Sequence, residues 1–75
     1  MFSKKLFSER ISSLRKLSKL SQKQLGDAIG ISQDTISRME KAQRAASIEV
    51  LYALADFFDV SLDYLVGRSD NPDRR

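Results

Sequence analysis

Four polar side chains between positions 33 and 38 are the residues of this sequence best suited to specific recognition chemistry. They supply an amide, a carboxylate, a hydroxyl and a guanidinium: Gln33, Asp34, Ser37 and Arg38. Such groups hydrogen-bond to base edges in a DNA major groove, where glutamine favours adenine and arginine favours guanine. A carboxylate there accepts from the cytosine amino group or acts as a negative selector against other sequences. We predict that these residues read bases; the alternative is a solvated surface, since none has an obvious partner.

A second set of residues has the chemistry to hold DNA phosphates. The start of a helix offers unpaired backbone N–H groups and the positive end of the helix dipole, both suited to an anion. Gln22 and Lys23 stand at such a start. The other predicted phosphate contacts flank the segment: Lys19, Thr35, Lys41 and Arg44. For each lysine taken alone, a solvated surface charge is the more common alternative.

The residue types that are missing limit other chemistry. The 75 residues include no Cys and no His, which excludes disulfides, thiolate chemistry, the usual zinc sites and the commonest general base. The ten carboxylates form no catalytic motif, and no glycine-rich phosphate loop occurs. We therefore predict that the chain is not an enzyme and binds no metal or cofactor. A chain of this size also predicts no pocket for a small-molecule effector.

Charge is distributed unevenly along the chain. Residues 1–44 hold ten basic and four acidic side chains, a net charge of +6, whereas residues 45–75 have a net charge of −3. A basic first half is typical of a surface that faces a polyanion. No apolar run approaches the ~18 residues of a membrane span, and no export signal is recognisable. We expect a cytoplasmic protein without a membrane partner.

Five helical segments must position these side chains. The predicted helices cover residues 8–17, 22–29, 33–41, 48–58 and 62–66, and they begin at Ser8, Ser21, Ser32, Ser47 and Ser61. Serine is favoured before a helix because its hydroxyl accepts a hydrogen bond from an unpaired backbone N–H. No strand is predicted. The expected fold is all-α: a compact five-helix domain over residues 1–67, followed by a polar, flexible tail over residues 68–75.

The second and third helices match the helix-turn-helix pattern, in which two helices flank a short turn that contains glycine. Gly30 suits the turn, and Gly26 has no side chain to keep the helices apart. The wedge between the helices is filled by five apolar residues: Leu25, Ile29, Ile31, Ile36 and Met39. The third helix would then present its polar side to a DNA groove.

The fourth helix is apolar around more than half of its circumference. Only Glu49 and Asp56 mark a clear polar side. A stripe this wide favours a central core helix. The alternative is that part of it, including Phe57, joins a contact between two copies.

Taken together, these residues resemble the lambda-repressor-like helix-turn-helix family of bacterial and phage regulators, the xenobiotic-response-element type. The resemblance runs from about Ile11 to Gly67. The residues that carry it include Leu14-Arg15, Leu20-Ser21-Gln22, Leu25-Gly26, Ile29-Gly30-Ile31-Ser32, Thr35-Ile36-Ser37, Glu40, Ser47-Ile48, Leu51 to Ala55 and Val60 to Leu65. It implies a five-helix domain that binds operator DNA, usually as a homodimer on a near-palindromic site. Transcriptional repression in the nucleoid of a bacterial cell is the role it implies.

The resemblance also implies roles for individual residues. Gln22 should hold a phosphate, and Gln33 should touch a base. Arg15 and Glu40 match a pair that forms an interior salt bridge in many members, and we interpret that pair as structural. The sequence pattern agrees, because Glu40 lies on the inward side of the third helix, where a lone carboxylate would be costly.

Two departures from the family pattern follow the third helix. Members often carry Asn-Gly after the glutamate, where this chain has Lys41-Ala42, and often a proline before the fourth helix, where it has Ala45-Ala46. A left-handed turn is less natural for Lys41-Ala42, so we expect the third helix to run longer. Arg44 remains the best phosphate contact from that loop.

A dimer is expected on geometric grounds as well. One recognition helix reads only about three to five base pairs, too few to define a site in a genome. The predicted seam lies on the fourth or fifth helix and uses Phe57, Tyr64 and Val66; the alternative is that a further domain supplies the contact. The rival hypothesis is a protein-interaction module with the same fold, such as the antitoxin half of a pair. Basic groups on the same half as the polar third helix favour DNA.

Overall fold

The computed structural model of the protein describes residues 3–73, which form five α-helices. The helices are α1 (Lys4–Leu17), α2 (Gln22–Ile29), α3 (Gln33–Glu40), α4 (Ile48–Phe58) and α5 (Leu62–Leu65). No strand occurs within residues 3–73. The all-α prediction is confirmed. Residues 1 and 2 of the predicted domain and residues 74 and 75 of the predicted tail lie outside the described part.

Each of the five helices is preceded by a serine cap, as predicted, but the serine before α1 is Ser3 and not Ser8. In each case the hydroxyl accepts a hydrogen bond from the backbone N–H three residues further on; the serines are Ser3, Ser21, Ser32, Ser47 and Ser61. This bond satisfies one of the donors that a helix start leaves unpaired. At Ser21 the capping box is complete, because the Gln24 side chain accepts from the Ser21 N–H at 2.8 Å.

The predicted start of the first helix was wrong. The helix begins after Ser3, and Ser8 is a buried residue within it whose hydroxyl donates to the Lys5 carbonyl at 2.7 Å. The apolar face of α1 includes Phe7 together with Ile11, one turn apart and both fully buried. Ser8 cannot mark the start of this helix, because Phe7, the residue before it, already belongs to the helix's buried face.

Within residues 3–73, nine buried apolar residues form the core, and every helix contributes to it. They are Phe7, Ile11, Leu25, Ile36, Met39, Leu54, Ala55, Val60 and Leu65. α3 packs against both α1 and α2, while α5 packs against α1 and α4. Burying a side chain the size of Leu, Ile, Phe or Met contributes about 1.5–3 kcal/mol. α3 is therefore fixed from two sides.

α4 is more peripheral than its apolar sequence predicted. Leu54 and Ala55 are buried, but Ile48, Tyr52 and Phe57 are 66%, 58% and 42% exposed. At 100° per residue, Ile48 and Tyr52 lie on one flank of the buried stripe and Phe57 lies on the other. The prediction of a central core helix was wrong for these three residues.

The beginning of the tail contacts the helices. The Arg10 guanidinium donates to the Ser69 carbonyl at 2.7 Å and pairs with the Asp70 carboxylate at 2.8 Å. The backbone N–H of Ser61 donates to the Pro72 carbonyl at 2.9 Å. Residues 69–72 therefore lie against α1 and the start of α5, while the mobility predicted for residues 68–75 stays a prediction.

Candidate nucleic-acid interface

The turn between α2 and α3 holds the two helices in close contact. Gly30 has a left-handed φ of 80°, and the N–H groups of Gly30 and Ile31 both donate to the Gly26 carbonyl, at 2.8 and 2.9 Å. A Cβ at Gly26 would lie 2.5 Å from the Ile31 carbonyl oxygen, which is a backbone atom that cannot rotate away. Gly26 therefore allows the approach of α2 to the start of α3 that the sequence predicted.

α3 has one buried face and one exposed face. Ile36 and Met39 point into the core and have no exposed surface. On the opposite side Gln33, Asp34 and Arg38 are exposed. The four predicted base-reading residues lie within six consecutive positions of α3, from Gln33 to Arg38, with Ser37 partly buried at the edge of the exposed face. The structure thus brings these four residues together on one outward surface.

Two of the predicted base-reading residues form an ion pair. The Nε of Arg38 lies 2.9 Å from Oδ2 of Asp34, one helical turn away, with side-chain exposures of 59% and 72%. The expectation that none of the outward residues has a partner was wrong for this pair. Acid and base four residues apart in this order are neighbours on a helix surface, so the signal was present in the sequence.

A second arginine–carboxylate pair lies on the inner side of α3. Arg15 and Glu40 meet through two contacts, Nε to Oε2 at 2.6 Å and Nη2 to Oε1 at 3.0 Å. Arg15 also donates to the Leu20 carbonyl at 2.7 Å. The hydrogen bond to Glu40 raises the pKa of Arg15 above its ordinary value, although burial opposes the rise. The interior pair expected from the resemblance is present and joins α1 to α3.

Gln22, a predicted phosphate ligand, contacts this interior pair. Its Nε2 donates to Oε1 of Glu40 at 3.2 Å, and its side chain is partly buried. An amide nitrogen carries two hydrogens, so one N–H is left for another acceptor. The first residues of α2 also retain backbone N–H groups without partners inside the helix. The start of α2 can therefore accept an anion while Glu40 orients the Gln22 side chain.

The remaining predicted phosphate ligands differ in their contacts. Lys23 is exposed and pairs with Asp27 at 2.9 Å on α2, and Lys19 is exposed in the turn after α1. The hydroxyl of Thr35 lies 2.8 Å from that of Ser32, so it takes part in the cap of α3.

The end of α3 differs from the sequence prediction. The helix ends at Glu40, and Ala42 adopts a left-handed φ of 59°. The Gln43 N–H donates to the Arg38 carbonyl at 2.9 Å and the Ala42 N–H to the Met39 carbonyl at 3.2 Å, a Schellman motif. The expectation of a longer helix was wrong, because these two bonds offset the cost of a left-handed alanine. The turn leaves Lys41 and Arg44 exposed beside α3.

The residues predicted for the dimer seam lie on α4 and around α5. Phe57 is exposed, and Tyr64 and Val66 are partly buried. The Tyr64 ring is covered on one side by the Arg10 guanidinium, 4.1 Å from its centroid. Sequence reasoning did not single out Arg10, because its partners are 54–60 residues away and leave no local pattern.

Two further observations concern metal sites and membrane-spanning helices. Among the residues that the structure describes, no group of three or more acidic, histidine or cysteine side chains is arranged to hold a metal ion. Within the same part of the chain, no helix has the length and apolarity needed to span a bilayer.

Comparison with known proteins agrees with this geometry. The sequence profile of a family described as Helix-turn-helix matches residues 11–65. The chain is 35% identical over 68 residues to an uncharacterized HTH-type transcriptional regulator, YobD, of Bacillus subtilis strain 168, covering 91% of this chain and 61% of that protein. It is also 35% identical over 60 residues to the cryptic phage CTXphi transcriptional repressor RstR of Vibrio cholerae, covering 80% of this chain and 54% of that protein.

A solved structure is similar over most of its length. It is the P22 c2 repressor in complex with a synthetic operator, with a TM-score of 0.81 and 36% sequence identity. The match covers 85% of this chain and 97% of that one. By contrast, the chain spans little more than half the length of the curated relatives named above.

Proposed function

This chain belongs to the helix-turn-helix family of lambda-repressor-like transcriptional regulators, and we propose that it binds double-stranded operator DNA sequence-specifically and represses transcription. In this proposal α3 enters the major groove, where a helix of this motif places its N-terminal residues against base edges. The similar P22 c2 repressor is described in complex with operator DNA, which supports the choice of ligand. No catalytic activity, metal or cofactor is assigned.

The observation that carries the proposal is the division of α3 into two faces. Ile36 and Met39 fix the helix to the core, while the exposed face offers side chains that match base edges. We assign base recognition to the surface that Gln33, Asp34, Ser37 and Arg38 form together. Because the core already fixes the backbone of α3, binding to a groove costs little main-chain conformational entropy.

Phosphate binding is assigned to residues that precede and follow α3 in the chain. The N–H groups at the start of α2, with Gln22 and Lys23, come before α3, and the loop with Lys41 and Arg44 comes after it. Lys19 and Thr35 complete the set. Such contacts supply affinity and register without sequence preference.

The proposed binding species is a homodimer on a near-palindromic site. A single helix specifies too few base pairs, and a second copy doubles the number read. Phe57 is the best-supported of the three seam residues, because it is exposed and burial of its ring against a second copy would be favourable. Tyr64 and Val66 are placed in the same seam. A location in the cytoplasm and the absence of a small-molecule effector are part of the proposal.

The experiment is selection of duplexes from a random-sequence library, followed by titration of the selected duplex across a salt series. We expect a two-fold symmetric motif and a linear fall of log affinity with log salt. Arg38→Ala and Gln33→Ala should each reduce discrimination at one base pair by about 1–3 kcal/mol. Lys41→Ala should instead weaken binding to all sequences and reduce the slope of log affinity against log salt by about one.

Arg68→Ala is the matched control for Arg38→Ala. Both residues are exposed arginines, so the change in charge is the same, but Arg68 lies after α5 and outside the proposed interface. Its substitution should leave base preference unchanged. If the unaltered protein prefers no duplex even at low salt, DNA recognition is ruled out and a protein partner becomes the function to test.

A further inference from the structure

Resting on the proposed function, we infer that Asp34 is a positioning residue that orients Arg38 for the recognition of guanine. The carboxylate Oδ2 lies 2.9 Å from the Nε of Arg38, four residues along α3. Both side chains are more than half exposed, so the core holds neither of them. Asp34 is therefore positioned to orient the Arg38 side chain.

The position of the carboxylate on the guanidinium decides which donors are left. Arginine has one N–H on Nε and four on the two Nη nitrogens. With Asp34 beside Nε, the two Nη nitrogens form the free end of the side chain. Two parallel N–H donors at that end are what a bidentate contact with O6 and N7 of guanine requires.

The local charges favour this pairing over a carboxylate that faces DNA alone. Asp34 lies in the first turn of α3, where the helix dipole favours a negative charge, and the acid precedes the base in the preferred order. An exposed pair of this kind is weak in water. Exclusion of water from a protein–DNA interface strengthens it, so its effect on orientation should be largest when DNA is bound.

A direct contact between Asp34 and a cytosine amino group is the competing role, and the two roles differ in where they act. If Asp34 acts through Arg38, its removal changes the preference at the base pair that Arg38 reads. If Asp34 touches cytosine itself, its removal changes the preference at a base pair that does not depend on Arg38.

The test compares the base preferences of the unaltered protein, Asp34→Ala, Arg38→Ala and the double variant, each titrated against duplexes with single base-pair changes. We expect Asp34→Ala to lower the guanine preference at the Arg38 position by about three- to tenfold, part of what a bidentate contact supplies. In the Arg38→Ala background, Asp34→Ala should change no base preference, because the two residues act as a unit. Asp34→Glu should restore most of the preference.

Asp27→Ala is the matched control, since Asp27 also forms an exposed ion pair four residues from its partner, but on α2. It should leave every base preference unchanged. The inference is overturned if Asp34→Ala leaves the guanine preference intact, or if it changes a base pair that Arg38→Ala does not. Failure of the proposed function differs from both results: the unaltered protein then selects no duplex, and the inference falls with it. Thermal unfolding of each variant verifies that it is folded.

Discussion

The two arginine–carboxylate pairs of α3 are similar in distance and differ in nearly everything else. Arg15 and Glu40 approach to 2.6 Å with side-chain exposures of 13% and 7%, whereas Arg38 and Asp34 approach to 2.9 Å with exposures of 59% and 72%. The inner pair joins α1 to α3, but the outer pair lies within α3 alone. The distances therefore do not show which pair the fold depends on. The burial of the side chains and the helices that each pair joins show it.

The difference explains how one helix can be both a structural element and a binding surface. A buried charge that loses its partner is left uncompensated, so the inner pair is tied to the fold. An exposed pair gains little in water and can exchange partners without a structural change. Function can therefore vary on the outer face while the inner face is retained.

The largest expected effect comes from breaking the inner pair. Glu40→Gln keeps the size of the side chain but leaves the Arg15 guanidinium without a charged partner in a nearly buried site. We expect a loss of about 3–5 kcal/mol in the free energy of unfolding, measured by urea denaturation. Asp34→Asn makes the same chemical change in the outer pair and should cost less than about 1 kcal/mol. Equal losses in the two variants would contradict the comparison.

The next largest effect concerns the contact that places α3 relative to α2. Gly26→Ala would put a Cβ 2.5 Å from the Ile31 carbonyl oxygen, so the turn must shift. Although alanine is the better helix former, we expect a net loss of about 1–3 kcal/mol in urea denaturation. Asp27→Ala, at the exposed neighbouring position, is the control and should be close to neutral. A stabilised Gly26→Ala variant would show that the close approach is not required.

Features of the fold with local signals were predictable from the sequence. The starts of α2 and α4 followed from serine caps, and the turn between α2 and α3 followed from Gly30. The polar face of α3 was predictable for the same reason, since residues spaced along a single helix are neighbours by geometry alone. The sequence therefore supplied most of the candidate interface before the fold was known.

Features that depend on tertiary neighbours were not predictable in the same way. Several serines compete to begin α1, and the choice of Ser3 depends on Phe7 being buried by other helices. The apolar circumference of α4 does not show which sides other helices cover, so the exposure of Ile48 and Tyr52 was missed. Ala42 is left-handed because neighbouring backbone bonds require it, against its own preference.

A substitution at the end of α3 is expected to change the free energy of unfolding by less, and it should stabilise the fold. Ala42 has a φ of 59°, a region that costs a non-glycine residue about 1–2 kcal/mol. Ala42→Gly removes this strain but adds entropy to the unfolded chain, so we expect a net gain of up to about 1 kcal/mol. Thermal unfolding should show a rise of a few degrees. Ala45→Gly, in the same loop but without a positive φ, should lower stability or leave it unchanged.

The smallest expected effect on stability comes from breaking the outer pair. Arg38→Gln removes the ion pair with Asp34 while keeping a polar side chain of similar length, and we expect a loss of about 0.5 kcal/mol at low salt. In 1 M salt the loss should nearly vanish, because exposed charges are screened over about 3 Å. The same variant should nevertheless lose discrimination at one base pair of the selected duplex. A large loss of stability that salt does not reduce would mean that the outer face also supports the fold, and the division of α3 into a structural face and a recognition face would then fail.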